Sequence, residues 1–155
     1  HSDAMHGAFV RRQGVTVVTE PVPPGLPAVL ADAIHVVRVL GNYLTNAAKY
    51  GQPRQTVAMR AELRADGFVR LSVRNRAVRP LSEAEQARIF DPFYRREGER
   101  AEGTGLGLTI CREIAAAHGG RVGVWASGDV VDFYLDLRAV TEPLSHAGNR
   151  AALSA

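Results

Sequence analysis

The residues best suited to chemistry begin with Gly103-Thr104-Gly105-Leu106-Gly107-Leu108, which runs straight into Thr109-Ile110-Cys111-Arg112-Glu113-Ile114-Ala115-Ala116-Ala117-His118. Glycine at every second position leaves a backbone that takes positive φ freely and has no side chain to hold a phosphate chain away. The residues that follow repeat at helical spacing: Leu106, Ile110 and Ile114 lie four apart, with Cys111 and Ala115 beside them and Gly119-Gly120 as a stop. A helix starting there points its free N–H groups and positive dipole end at whatever the glycines approach, so the predicted chemistry is anion binding. Taken alone, a glycine-rich turn before a helix is also ordinary punctuation.

A second group stands far upstream. From about Asp32 to Tyr50 the spacing predicts a long helix, with Val36, Val37, Leu40, Tyr43, Leu44 and Ala47 on its apolar side. The opposite stripe carries His35, Arg38, Asn42, Asn46 and Lys49. Asn42 and Asn46 are one turn apart, with Lys49 three residues further on, so all three project together. Such a stripe is either a solvated helix face or one wall of a polar site. His35 reads as an edge contact.

These groups need a scaffold. Val15 to Thr19 reads as a short strand, and the proline-rich stretch from Pro21 to Pro27 as a connector. Gln55 to Arg64 alternates as a half-buried strand, Asp66-Gly67 makes a hairpin turn, and the return strand puts Val69, Leu71 and Val73 inward. By the same period of two, Asn75 points inward at that strand's end. Ser82 to Glu85 forms a capping box that opens a short helix leading to Phe90. Asp91 to Glu102 is charged, poor in apolar residues, and reads as a mobile loop. Arg121 to Trp125 and Val130 to Leu137 pair through Ser127-Gly128, and Thr141 to Ala155 has no period and reads as a disordered tail. Five strands and three helices predict an α+β fold, a two-layer α/β sandwich with helices on one face of a mixed, mostly antiparallel sheet.

Composition narrows the classes. The 155 residues fit one domain with a single core, and 23% charged with 46% hydrophobic residues is the balance of a soluble globular chain. No apolar run approaches a membrane span, and no signal peptide opens the chain. The single cysteine, Cys111, excludes an internal disulfide and reads as a core residue, in keeping with a reducing, cytoplasmic setting. The net charge of +3 is spread over scattered arginines, which argues against nucleic acid and suits a polyanionic nucleotide or an acidic protein partner.

The paired asparagines, the stretch Arg88-Ile89-Phe90-Asp91-Pro92-Phe93-Tyr94-Arg95-Arg96 and the glycine loop resemble, in type and order, the N, F and G2 boxes of the ATP-binding catalytic domain of bacterial sensor histidine kinases. That domain has the Bergerat fold, shared with gyrase B and some chaperones. The resemblance covers residues 14–138, leaving 1–13 as a cloning remnant or linker and 139–155 as the tail. It implies ATP and Mg²⁺ as cofactors, with nucleotide between the long helix and a lid loop. Asn46 is then the Mg²⁺ ligand, with Asn42 as a second candidate, and Lys49 and Tyr50 lie near phosphate. Gly103, Thr104, Gly105, Leu106, Gly107 and Leu108 cradle the phosphate chain, and a single amide oxygen plus phosphate oxygens suits a hard cation. Phe90, Phe93 and Tyr94 pack the lid root. For Arg95 and Arg96, a phosphate contact and simple solvation both fit.

One box departs from the family. Where the G1 box has an aspartate followed by glycines, this chain reads Val73-Arg74-Asn75-Arg76-Ala77-Val78-Arg79-Pro80-Leu81. Asn75 replaces the aspartate expected to accept a hydrogen bond from the adenine amino group, and it can donate as well as accept. The phosphoacceptor histidine of such kinases sits beside an acidic residue on a helical hairpin. None of His1, His6, His35, His118 and His146 has that context, so the catalytic acceptor lies outside this chain. The resemblance therefore implies a histidine kinase domain whose partners are its own dimerisation and phosphoacceptor domain, in a homodimer, and a response regulator. Two other readings are a degenerate, non-catalytic module kept for protein contacts, and a serine kinase acting on an anti-sigma antagonist.

Overall fold

A computed structural model describes residues 14–94, 106–140 and 151–153. The long helix, α1, spans Ala33–Tyr50. It starts where the Asp32 carboxylate accepts from the Ile34 N–H at 3.0 Å, and ends where the Gly51 N–H reaches the Ala47 carbonyl at 2.9 Å. Two strands precede it, β1 (Thr16–Thr19) and β2 (Val29–Ala31). After it come β3 (Thr56–Leu63) and β4 (Phe68–Arg76), joined at Gly67, whose φ of 87° needs a glycine. The short helix α2 (Glu83–Arg88) carries the capping box: Ser82 Oγ accepts from the Glu85 N–H, and the Glu85 carboxylate from the Ser82 N–H. Then follow α3 (Gly107–Ala117), β5 (Arg121–Ser127), β6 (Val130–Arg138) and β7 (Ala151–Leu153).

The main sheet has the order β1-β3-β4-β6-β5, antiparallel except for the parallel β1–β3 pair that α1 crosses over. This is the mixed, mostly antiparallel sheet expected. Inward side chains of period two, among them Val57, Val69, Val73, Val131, Phe133, Leu135 and Leu137, form one core with α1 and α3. Tyr43 is fully buried, stacks on Phe133 at 5.3 Å and donates its hydroxyl to the Tyr134 carbonyl at 2.8 Å. On the other face of the sheet, Asp136 is fully buried beneath Arg70 and Arg121, both of which donate to its carboxylate.

Three expectations are corrected. The buried side of α1 is Val36, Val39, Gly41, Tyr43, Ala47 and Ala48, while Val37 is exposed. The helix is covered by the sheet on one flank and by α3 on another, so the buried arc turns toward the asparagine stripe. A second, two-stranded sheet pairs β2 with β7, so Ala151–Leu153, within the segment read as a disordered tail, is a strand. Third, the stripe of α3 centres on Leu108, Cys111 and Ala115 rather than on Leu106, Ile110 and Ile114, because α3 packs against both α1 and the sheet. Its stop is as expected, with Gly119 at φ 66° and the Gly120 N–H on the Ala115 carbonyl at 2.8 Å.

Candidate functional site

The polar stripe of α1 is not merely solvated. Asn42 Nδ2 donates to the Gly107 carbonyl at 3.1 Å and approaches Cys111 Sγ at 3.5 Å, so this asparagine ties the middle of α1 to the first turn of α3. Its Oδ1 remains available as an acceptor. Asn46, one turn further along, is half-buried, and no described residue hydrogen-bonds its amide. Lys49 and Tyr50 follow at the end of α1, also half-buried.

At the far end of α3 a second tie forms. His118 Nδ1 donates to the Ile114 carbonyl at 2.8 Å, leaving Nε2 to accept the Asp32 N–H at 3.2 Å. His35 lies edge-on to this ring at 5.7 Å. Cys111 is fully buried, and burial pushes its thiol up to about 11.

Leu106, the first described residue after the glycines, is the N-cap of α3, and its side chain makes no capping hydrogen bond. Gly107 lies against the Asn42 amide, since a Cβ there would stand in ordinary contact with it at 3.9 Å. Arg95, Arg96, Gly103, Thr104 and Gly105 lie outside the described residues. The chain approaching them is anchored: Phe90 is buried edge-on against Phe133, and its carbonyl accepts from the buried Thr109 hydroxyl at 3.0 Å. Phe93 does not pack as expected. It is 71% exposed with φ 62°, a left-handed backbone that turns its ring out to solvent.

Asn75 is 5% exposed on the inner face at the end of β4. Its Oδ1 is buried and accepts no hydrogen bond from any described residue. Such an acceptor is costly to leave unmade. Thr45 Oγ1, on α1, is the other such atom among the described residues.

A group of residues that sequence reasoning missed fixes the backbone next to Asn75. Gln55 is 9% exposed; its Oε1 accepts from the Arg76 N–H at 2.6 Å, and its Nε2 donates to the carbonyls of Arg76 and Gln52, both at 3.0 Å. Gln52 Nε2 in turn donates to the Ala77 carbonyl at 3.1 Å and to the Asp129 carboxylate at 3.0 Å. The Gln52 N–H meets the Arg76 carbonyl at 2.8 Å and the Val78 N–H meets the Tyr50 carbonyl at 3.2 Å, so the end of α1 and the end of β4 are stitched together. The one signal in the sequence was two glutamines close behind Tyr50, bracketing a turn. The structure thus joins α1, the start of α3 and the end of β4 into one wall, with amide oxygens on Asn42, Asn46 and Asn75 that accept from no described residue.

Residues 31–139 match the family described as histidine kinase-, DNA gyrase B-, and HSP90-like ATPase. The sensor-like histidine kinase SenX3 of Mycolicibacterium smegmatis is 30% identical over 137 residues, 86% of this chain and 35% of the relative. This chain therefore spans about a third of that protein. Among solved structures, the catalytic domain of histidine kinase ThkA is 27% identical with a TM-score of 0.71, over 89% of this chain and 88% of that one. Full-length ShkA in complex with AMPPNP is 28% identical with a TM-score of 0.71, over 92% and 30%. ThkA in complex with the response regulator TrrA is 26% identical with a TM-score of 0.68, over 90% and 38%.

Proposed function

This chain belongs to the histidine kinase-, DNA gyrase B-, and HSP90-like ATPase family, and from that premise we propose that it binds Mg·ATP and presents the γ-phosphoryl group to a histidine on a separate dimerisation domain of a sensor histidine kinase. The observation that carries the reading is the buried Asn75 Oδ1, without a partner among the described residues, at the position where the family's aspartate meets the adenine amino group. An acceptor sealed from water without a donor loses stability unless a ligand supplies one.

The rest of the wall fits the remainder of a nucleotide. The start of α3, a helix N-terminus directly after the glycines, suits the phosphate chain. Asn46, whose amide has no partner among the described residues, would hold Mg²⁺ together with phosphate oxygens, with Asn42 Oδ1 as the second candidate. When bound, the metal neutralises charge on the phosphates. Lys49 and Tyr50 stand one turn beyond, toward the same end of α1, and Arg95 and Arg96 complete the proposed set of phosphate contacts. Phosphoryl transfer depends mostly on positioning and charge neutralisation, which this domain supplies. The acceptor histidine and its neighbouring base come from the dimerisation domain, and the phosphoryl group passes on to a response regulator. This places the domain on the cytoplasmic side of the signalling pathway.

Calorimetric titration with a non-hydrolysable ATP analogue and Mg²⁺ tests the reading. Saturable binding that weakens in Asn46→Ala supports it. No heat and no thermal shift at millimolar nucleotide, from a chain that is folded by circular dichroism, would leave the fold as an interaction module without nucleotide.

A further inference from the structure

We infer that Asn75 makes this site tolerant of the purine base, so that it accepts 6-oxo purine nucleotides about as well as 6-amino ones. The inference rests on the nucleotide reading above and concerns what that site can tell apart. A carboxylate at this position can only accept, so it pairs with a 6-amino group and repels a 6-oxo group. An amide offers an acceptor at one end and two donors at the other.

Three observations give Asn75 the freedom to use both ends. The residue is only 5% exposed, so bulk water does not satisfy its amide. Its Oδ1 has no partner among the described residues, and its Nδ2 donates to none of them. Turning the amide over therefore breaks nothing inside the protein. Its backbone, by contrast, is held: Gln55 takes the N–H of the next residue at 2.6 Å and donates to its carbonyl at 3.0 Å. The amide is thus a two-way reader on a fixed mount.

The charges nearby do not favour one reading over the other. Arg74 and Arg76, on either side, are engaged by Asp132 and Asp129 on the opposite face of the sheet. A site that leaves a buried polar group unpaired rejects a ligand by several orders of magnitude, whereas one that satisfies both ligands discriminates by roughly tenfold or less.

The test compares Mg·ADP with Mg·IDP, which differ at the 6-position, by calorimetry on the full chain at pH 8. Wild type is expected to bind the two within about tenfold of each other. Asn75→Asp is expected to favour ADP over IDP by at least a further tenfold, and Asn75→Leu to weaken both together without changing their ratio. Discrimination above about a hundredfold in wild type, or a ratio unmoved by Asn75→Asp, overturns the inference while leaving nucleotide binding intact. If neither nucleotide binds any variant that unfolds cooperatively, the nucleotide reading itself falls, and the inference with it.

Discussion

Replacing Gln55 by leucine removes three hydrogen bonds at one stroke while keeping a side chain of similar size. The Arg76 N–H loses its only described acceptor, Gln55 Oε1 at 2.6 Å. The Arg76 carbonyl keeps the Gln52 N–H at 2.8 Å, and the Gln52 carbonyl loses its side-chain donor at 3.0 Å. An orphaned buried N–H costs about 1–3 kcal/mol and each of the other two bonds roughly 0.5–1.5, so the sum is about 2–6 kcal/mol. At roughly 2–4 °C per kcal/mol for a domain of this size, Gln55→Leu should melt on the order of 10 °C below wild type. Thermal unfolding followed by circular dichroism, with urea titration alongside, measures it. The mount of Asn75 loosens at the same time, so ADP affinity should fall in the folded variant. A melting temperature within about 2 °C of wild type would show that the clamp carries little energy and that backbone pairing alone holds the strand end.

Two further outcomes follow from titrating groups. The Asp129 carboxyl is held below its ordinary value of 3.8, first by the Gln52 amide and then by Arg76, and Asp66 is held down by Arg121. A depressed folded pKa contributes stability above the unfolded value and loses it as pH falls through the folded one, so unfolding stability should decline on the acid side of about pH 4, and less steeply in Asp129→Asn and Asp66→Asn. An acid limb of unchanged slope in both variants would refute this. Cys111, with its thiol pushed up to about 11 by burial, should resist a thiol-specific reagent at pH 8 until denaturant unfolds the chain. Labelling of the native protein at the rate of a free cysteine would contradict that burial.

Much of the scaffold was legible because its signals are periodic. The alternation in β3, β4 and β6 identified the strands and also put Asn75 on the inner face, and the Ser82 capping box needed nothing beyond its own four residues. The strands β2 and β7 escaped because three residues cannot show a period, and Ala151-Ala152-Leu153 has little strand propensity until it meets β2. The buried side of α1 was misplaced because spacing reports one apolar face, whereas this helix is covered on two. In the site, Asn42 and Asn46 were legible as a polar stripe at helical spacing. Gln52 and Gln55 were not, because they bond mostly to backbone brought near by the fold, and Asp129 was not, because Gln52 and Arg76 reach its carboxylate only once the chain has folded. Phe93 was read as packed because composition does not reveal a positive φ.

The topology of the main sheet bears on the order in which such a wall can assemble. The hairpins β3–β4 and β5–β6 close through tight turns, so their contacts are local and form quickly. The parallel pair β1–β3 joins residues 40 positions apart, Thr16 to Thr56, and waits on the crossover by α1. Asn75 therefore belongs to the fast hairpins, while Asn42 and Asn46 ride on the slow crossover. A ligand that touches both can stabilise only the finished domain. It should slow unfolding at its first step, the separation of α1 from the sheet, and leave the early hairpins to form at the same rate with or without it.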